Sequence, residues 1–269
     1  LTPPDFRTHA NYIEAMCGIS NGLSATFQHN LQIKIVKSGT LSKKLGLIRL
    51  TLDSIDGEYA AISKNSEYAQ LCVSWISVKA YYLLFNMCLV LEYLIGGNDN
   101  AFHCTHKKVL DSIKNRIKNS EIVFSNKEFN ATHSANAVSN IKIKTGSNIK
   151  LVNYDSQERL SQILKKLVEY QLEDFQKNSR IKDFRSKVNR EKRALFLNVA
   201  EVSLFEFFYW YRIKANYRDL EFLSHDIISD SDFATFYINY YSLTKSFYKC
   251  FKDLINNLAM IRLKEIIIN

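Results

Sequence analysis

An all-α bundle is what this sequence predicts, and three observations predict it. The two prolines, Pro3 and Pro4, stand at the very start of the chain, so nothing after residue 4 carries the ring that interrupts a helix. Eight glycines in 269 residues are too few for the turn-dense chains of sandwiches and barrels. Apolar residues recur at three-to-four spacing over long stretches, the period of a buried helix face. The expected architecture is an up-and-down helical bundle over residues 65–269. A helical N-terminal extension, residues 1–64, packs on it, and a polar insertion interrupts it at about 120–154.

Within the extension, Leu31 to Val36 alternates like a strand, but its surroundings read as helix and the helical reading is adopted. Gln70 to Leu94 is apolar on nearly every side, which places it at the centre of the bundle. Gly96 and Gly97 supply its stop. Thr105 is placed to cap the next helix, whose buried face is Val109, Leu110, Ile113 and Ile117. From Asn119 to Asp155 the helical period disappears, and IKIKTGSNIKLV, Ile141 to Val152, reads as a short hairpin projecting from the bundle. Asp155 and Glu158 have capping-box spacing and open a helix that runs to about Phe175. A long helix is expected from about Arg193 towards Leu223. The last opens at Ser229 to Asp232 and carries Phe233, Phe236, Tyr240, Phe247, Phe251, Leu254, Leu258 and Ile261 inward.

The net charge of +9 is uneven. Between Lys177 and Arg193 eight cationic side chains face only Asp183 and Glu191. This makes Arg180, Lys182, Arg185, Lys187, Arg190, Lys192 and Arg193 candidates for a nucleic-acid-facing surface, against the plainer reading of a solvated helix face. A second basic stretch holds Lys107, Lys108, Lys114, Arg116 and Lys118 against Asp111. Five cysteines at apolar positions, an odd number, fit reduced thiols rather than a disulfide framework. The N-terminus lacks a signal-peptide pattern. The run Ala80 to Leu91, broken by Asn86 and closed by Glu92, falls short of the ~20 residues of a bilayer span. A cytoplasmic protein without a membrane partner is expected.

Nucleotide-driven and serine-hydrolase chemistry lack their usual motifs: the sequence holds no P-loop, GxGxxG, HExxH or GxSxG. His103, Cys104 and His106 in FHCTHKK invite a zinc reading, but no second group of ligands complements them. No metal or cofactor is expected. Glu169 and Asp174 are paired carboxylates on a helix, where lysine neighbours are the ordinary partners. One cluster remains, Tyr211 to His225, reading YRIKANYRDLEFLSH directly after the apolar run Val202 to Trp210. On a helix Arg212, Asn216 and Asp219 form one stripe. Arg218 and His225 lie two turns apart, ~10.5 Å, a gap that a long arginine and an imidazole can close on one phosphate. The plainer alternatives are an Arg218–Glu221 surface pair and a histidine at a helix C-terminus.

SVKAYYLLFNMCLVLEYL, Ser77 to Leu94, followed by a glycine stop and THKKVLDSI, resembles the central portion of HEPN domains, the small helical bundles of prokaryotic toxin and defence systems. RIKANY, Arg212 to Tyr217, is similar to the Arg-x-x-x-Asp-Tyr element of one HEPN branch, with Asn216 in place of aspartate. The resemblance covers roughly residues 65–118 and 195–265. It implies a bundle of four or five helices, a homodimer, and in active members RNA cleavage without metal, as in abortive-infection toxins or RNA-processing proteins. The family's arginine, polar residue and histidine are then matched by Arg218, Asp219 and His225. Arg218 and His225 would be catalytic, with Arg212, Asn216, Tyr217 and Asp219 in support. In the other register Arg212 is the family arginine and His225 has no part. That register implies a noncatalytic module that binds a partner protein, such as an antitoxin, or a nucleic acid.

Overall fold

The computed structural model describes residues 4–28, 31, 34–141, 156–217 and 228–268. The chain opens with α1, Pro4–Ser20, whose first residue suits proline because the amide it lacks has no helical partner there. A short strand, β1, Ala25–Phe27, follows. Lys34 to Lys37 is not helical, which corrects the helical reading of that stretch. Ile35 N–H instead donates to the Arg262 carbonyl at 3.0 Å, and Val36 stands 88% exposed. α2, Gly39–Lys64, starts where the Ser38 hydroxyl accepts the Leu41 amide at 3.1 Å. It buries one seam of Leu41, Ile48, Ile55 and Ile62.

α3, Tyr68–Gly96, is the central element, buried along most of its length from Val73 to Leu94. It ends because Gly97 takes the left-handed conformation at φ 74° and returns its amide to Tyr93 O. By length and composition α3 would also suit a bilayer, but 72% of its most apolar window is buried inside the protein. That burial is what a core helix shows. α4, His106–Lys118, follows, with the Thr105 hydroxyl accepting the Lys108 amide at 3.4 Å.

The polar segment that follows is tied into the core over its first twenty residues. β2, Ile122–Phe124, pairs antiparallel with β1, matching Ala25 to Phe124 and Phe27 to Ile122. β3, His133–Ser134, and the single-turn α5, Ala135–Ser139, come next. Ile122, Phe124, Phe129, Ala135 and Val138 are all buried. The expected hairpin at 141–152 and Asp155 lie outside the described residues, apart from Ile141.

α6, Ser156–Asn178, and α7, Lys187–Val199, are joined through the basic turn. The long helix expected from Arg193 towards Leu223 is broken. After α7 the chain forms β4, Glu201–Val202, paired with β3 through His133 and Val202, and then a 3-10 turn, Leu204–Glu206. α8, Phe207–Tyr217, starts only after that turn. The physical cause is Ser-x-x-Glu chemistry inside an apolar run: the Glu206 carboxylate accepts the Ser203 amide at 2.9 Å, which favours a new helix start over continuation.

The last helix, α9, Asp230–Arg262, is capped by Ser229, whose hydroxyl accepts the Asp232 amide at 3.2 Å. It packs on α3 more extensively than any other pair of elements, and α2 and α8 cover other flanks of α3. The two central helices run in the same sense. Near its start Tyr237 donates to Glu58 of α2 at 2.9 Å, while Arg262 at its end donates to Ile95 O at 3.4 Å. Between them lies a phenylalanine cluster in which Phe247 meets Phe129 at 5.0 Å and Phe208 at 5.1 Å, both edge to face.

Candidate functional site

Three helices bring one cationic and several aromatic side chains together at the side of α3. α3 supplies Tyr81, Tyr82 and Phe85, α4 supplies His106 at its first position, and α8 supplies Tyr209 and Arg212. α4 is locked against α3 by charge: the Arg116 guanidinium grips Glu92 with two bonds of 2.9 Å and reaches Glu121 at 2.6 Å. Fork-to-fork geometry of this kind fixes orientation as well as distance, so His106 is held at a defined place over Phe85.

The His106 ring stacks on Phe85 at 4.2 Å and 30°, and its Nδ1 lies 2.7 Å from the Tyr81 hydroxyl, with the donor set by the imidazole tautomer. The guanidinium of Arg212 covers the Tyr81 ring at 4.8 Å and comes within 5.7 Å of Tyr82 and 5.8 Å of Tyr209. Its Nη1 donates to the Tyr82 hydroxyl at 3.3 Å, and its Nε is buried without a partner among the described residues. Aromatic faces attract a cation, so three tyrosines hold Arg212 where a lysine would lose the planar stack.

The electrostatics follow from that enclosure. Burial first, and the Arg212 charge second, lower the His106 pKa from its ordinary 6.5. Its place in the first turn of a helix acts the same way, because the positive end of the dipole disfavours a cation. Burial pushes the Tyr81 phenol far up, with Arg212 pulling in the opposite direction. At neutral pH the site therefore contains a neutral imidazole, a protonated phenol and a fixed guanidinium. Such a set can hold an anion and move one proton. No family model, curated protein or solved structure matches this chain. The chemistry of the cluster rests on its own geometry.

Arg212 is the one member of the expected site whose side chain is described, and it faces α3. Asn216 and Tyr217 are described by their backbone alone, at the end of α8. Arg218, Asp219 and His225 lie outside the described residues. Arg180 occupies the turn after α6 with φ 53°, Lys182 and Arg185 follow on the linker, and Lys187, Arg190, Lys192 and Arg193 are exposed on α7. The other basic stretch is largely neutralised. Lys114 pairs with Glu206 at 2.9 Å, Lys118 with Glu201 at 2.9 Å, and Arg116 with Glu92 and Glu121, so Lys107 and Lys108 alone stay without an ion pair among the described residues. Glu169 pairs with Lys166 at 3.1 Å, the helical neighbour expected of it.

His106 and Tyr81 belong to the cluster although the sequence offered His106 only as a zinc ligand beside His103 and Cys104, and Tyr81 only as part of the central apolar helix. The usable signals were a histidine directly after a threonine cap, where a cation is disfavoured, and two adjacent tyrosines, Tyr81 and Tyr82, within an apolar helix. Among the described residues no three histidine, cysteine or acidic side chains gather as a metal would require.

Proposed function

We propose that this protein is a HEPN-like RNA-processing or defence protein whose phosphate-binding arginine is Arg212 and whose proton-transfer group is His106. The observation that carries the reading is that Arg212 and His106 meet on the same tyrosine, one over the Tyr81 ring at 4.8 Å and the other 2.7 Å from its hydroxyl. In the RNA-cleavage reading Arg212 binds the non-bridging oxygens of the scissile phosphate. With Nδ1–H donated to Tyr81, His106 keeps the Nε2 lone pair and takes the proton of the ribose 2′-hydroxyl. The O2′–P bond forms as the P–O5′ bond breaks, leaving a 2′,3′-cyclic phosphate, and the departing O5′ takes a proton from solvent. Arg212 offsets the charge that builds on the phosphoryl oxygens. The exposed cations of the linker and α7 give a polyanion a surface to follow.

The test is incubation of purified protein with cellular RNA in EDTA. Cleavage to cyclic-phosphate ends is expected, reduced about 100-fold or more by Arg212→Lys and by His106→Ala. Absence of cleavage, or cleavage unchanged in both variants, removes the assignment. Loss in His225→Ala with full activity in His106→Ala assigns the proton transfer to the other histidine.

A second reading is favoured by Tyr68, Leu71 and Trp75, which stand exposed at helical spacing on α3. In it the bundle is a noncatalytic module that uses this stripe against a second copy of the chain or a partner protein such as an antitoxin. Salt-dependent RNA binding without turnover supports a binding module, while a concentration-dependent dimer that Trp75→Glu dissociates supports self-association.

A further inference from the structure

A cavity of about 420 Å³ lies between α4, α6, α7 and α8, within the size range of sites for small ligands. Its walls are strongly aromatic. Phe175 of α6 and Phe196 of α7 stack at 4.6 Å, and Tyr209 and Trp210 of α8 meet edge to face at 5.0 Å. Four carboxylates and two lysines line it, and the ion pairs are unevenly shared. Glu206 is taken by Lys114 and Glu201 by Lys118. Among the described residues Asp174 accepts one hydrogen bond, from the Asn178 amide at 2.9 Å. Asp111 enters no ion pair among the described residues, and Lys107 is the one lining cation left to oppose the two aspartates. The aspartates act at close range: after burial, the Asp174 carboxylate is the strongest influence raising the Tyr209 phenol, and Asp111 adds to it. The amide oxygen of Gln171 and the indole N–H of Trp210, both lining residues, are buried without partners among the described residues.

We propose that this cavity binds a small organic cation, an alkyl guanidinium or ammonium, whose charge sits against Asp111 and Asp174 and whose apolar stem lies on Phe175, Phe196 and Tyr209. Aromatic ring faces and two carboxylates opposed by a single lysine both favour a cation, and the same carboxylates oppose a phosphate. The site does not depend on the RNA reading, since neither Arg212 nor His106 lines it. A free polyamine and the side chain of an arginine-bearing peptide carry this chemistry equally.

The experiment uses Trp210 as the reporter, because the chain has two tryptophans and the exposed Trp75 can be replaced. In the full-length Trp75→Phe variant, Trp210 emission and calorimetric heat are followed during titration with butylguanidinium, spermidine and a capped Gly-Arg-Gly peptide, with neutral butylurea as control. Saturable binding of the cations below about 1 mM is expected, weakened about tenfold or more by Asp174→Asn and absent with butylurea. Tightest binding by spermidine assigns the site to a free polyamine, and tightest binding by the peptide to a basic side chain. The proposal is overturned by no saturable binding of any cation, by equal binding of butylurea, or by affinity unchanged in both Asp174→Asn and Asp111→Asn.

Discussion

The Glu206 carboxylate and the Lys114 ammonium meet at 2.9 Å with side chains only 5% and 17% exposed. Through that pair the turn ahead of α8, which positions Arg212, is tied to the helix that carries His106. Glu206 has two further partners, accepting the Ser203 amide at 2.9 Å and the Gln171 amide at 3.1 Å. An ion pair so enclosed is a weak source of net stability, yet removal of one partner strands the other charge.

Lys114→Met is therefore expected to cost about 3 kcal/mol or more of unfolding free energy. The double variant Lys114→Met, Glu206→Gln should recover part of that loss, because no buried charge is then left alone. Urea denaturation of the wild type, both single variants and the double variant gives the coupling directly. Equal loss in the single and double variants would show that the charge balance is not what Lys114 provides.

Gly97 is the second sensitive point. Its φ is 74°, and an added Cβ would stand 2.7 Å from Arg262 Nη2 and 3.1 Å from Ile35 Cγ2. Gly97→Ala is expected to destabilise by about 1–3 kcal/mol, from the left-handed backbone and the crowded guanidinium together. At Gly96 the nearest atom to a Cβ outside the helix backbone, the side-chain nitrogen of Asn98, is 3.9 Å away, so Gly96→Ala should be neutral or stabilise by a few tenths of a kcal/mol. Thermal melts of the two variants separate backbone strain from simple helix propensity.

Much of the fold was legible because long helices announce themselves by period and cap. α3 ends at Gly97, α4 begins after Thr105 and α9 after Ser229, as these residue types require. The break between α7 and α8 was hidden, since Ser203 and Glu206 sit within a run whose other members are apolar, and hydrophobic period there outweighs a single cap. Strands of two or three residues gave no alternation to read. The pairing of Ala25 with Phe124 joins parts of the chain far apart in sequence, and a local pattern carries no trace of it. At the candidate site Arg212 was visible as a cation after an apolar run. His106 was visible only as a zinc candidate beside His103 and Cys104, because its actual surroundings, Tyr81, Phe85 and Arg212, come from other helices and only the tertiary fold assembles them.

The pH response of His106 tests that assembly most directly. Its folded pKa is lowered from 6.5, by burial first and by Arg212 second, so between the folded and unfolded values the unfolded chain binds more protons than the native one. The resulting stability is fully present above the unfolded value and is lost as pH falls through the folded one. Two-dimensional NMR of the imidazole should therefore show a midpoint below 6.5, and denaturation midpoints should fall on acidification across this range. In Arg212→Gln the NMR midpoint should rise yet remain below the ordinary value, because burial by Phe85 and Tyr81 persists. A midpoint that ignores the substitution would mean that the guanidinium does not reach the imidazole electrostatically. The pair could then not act on one phosphate.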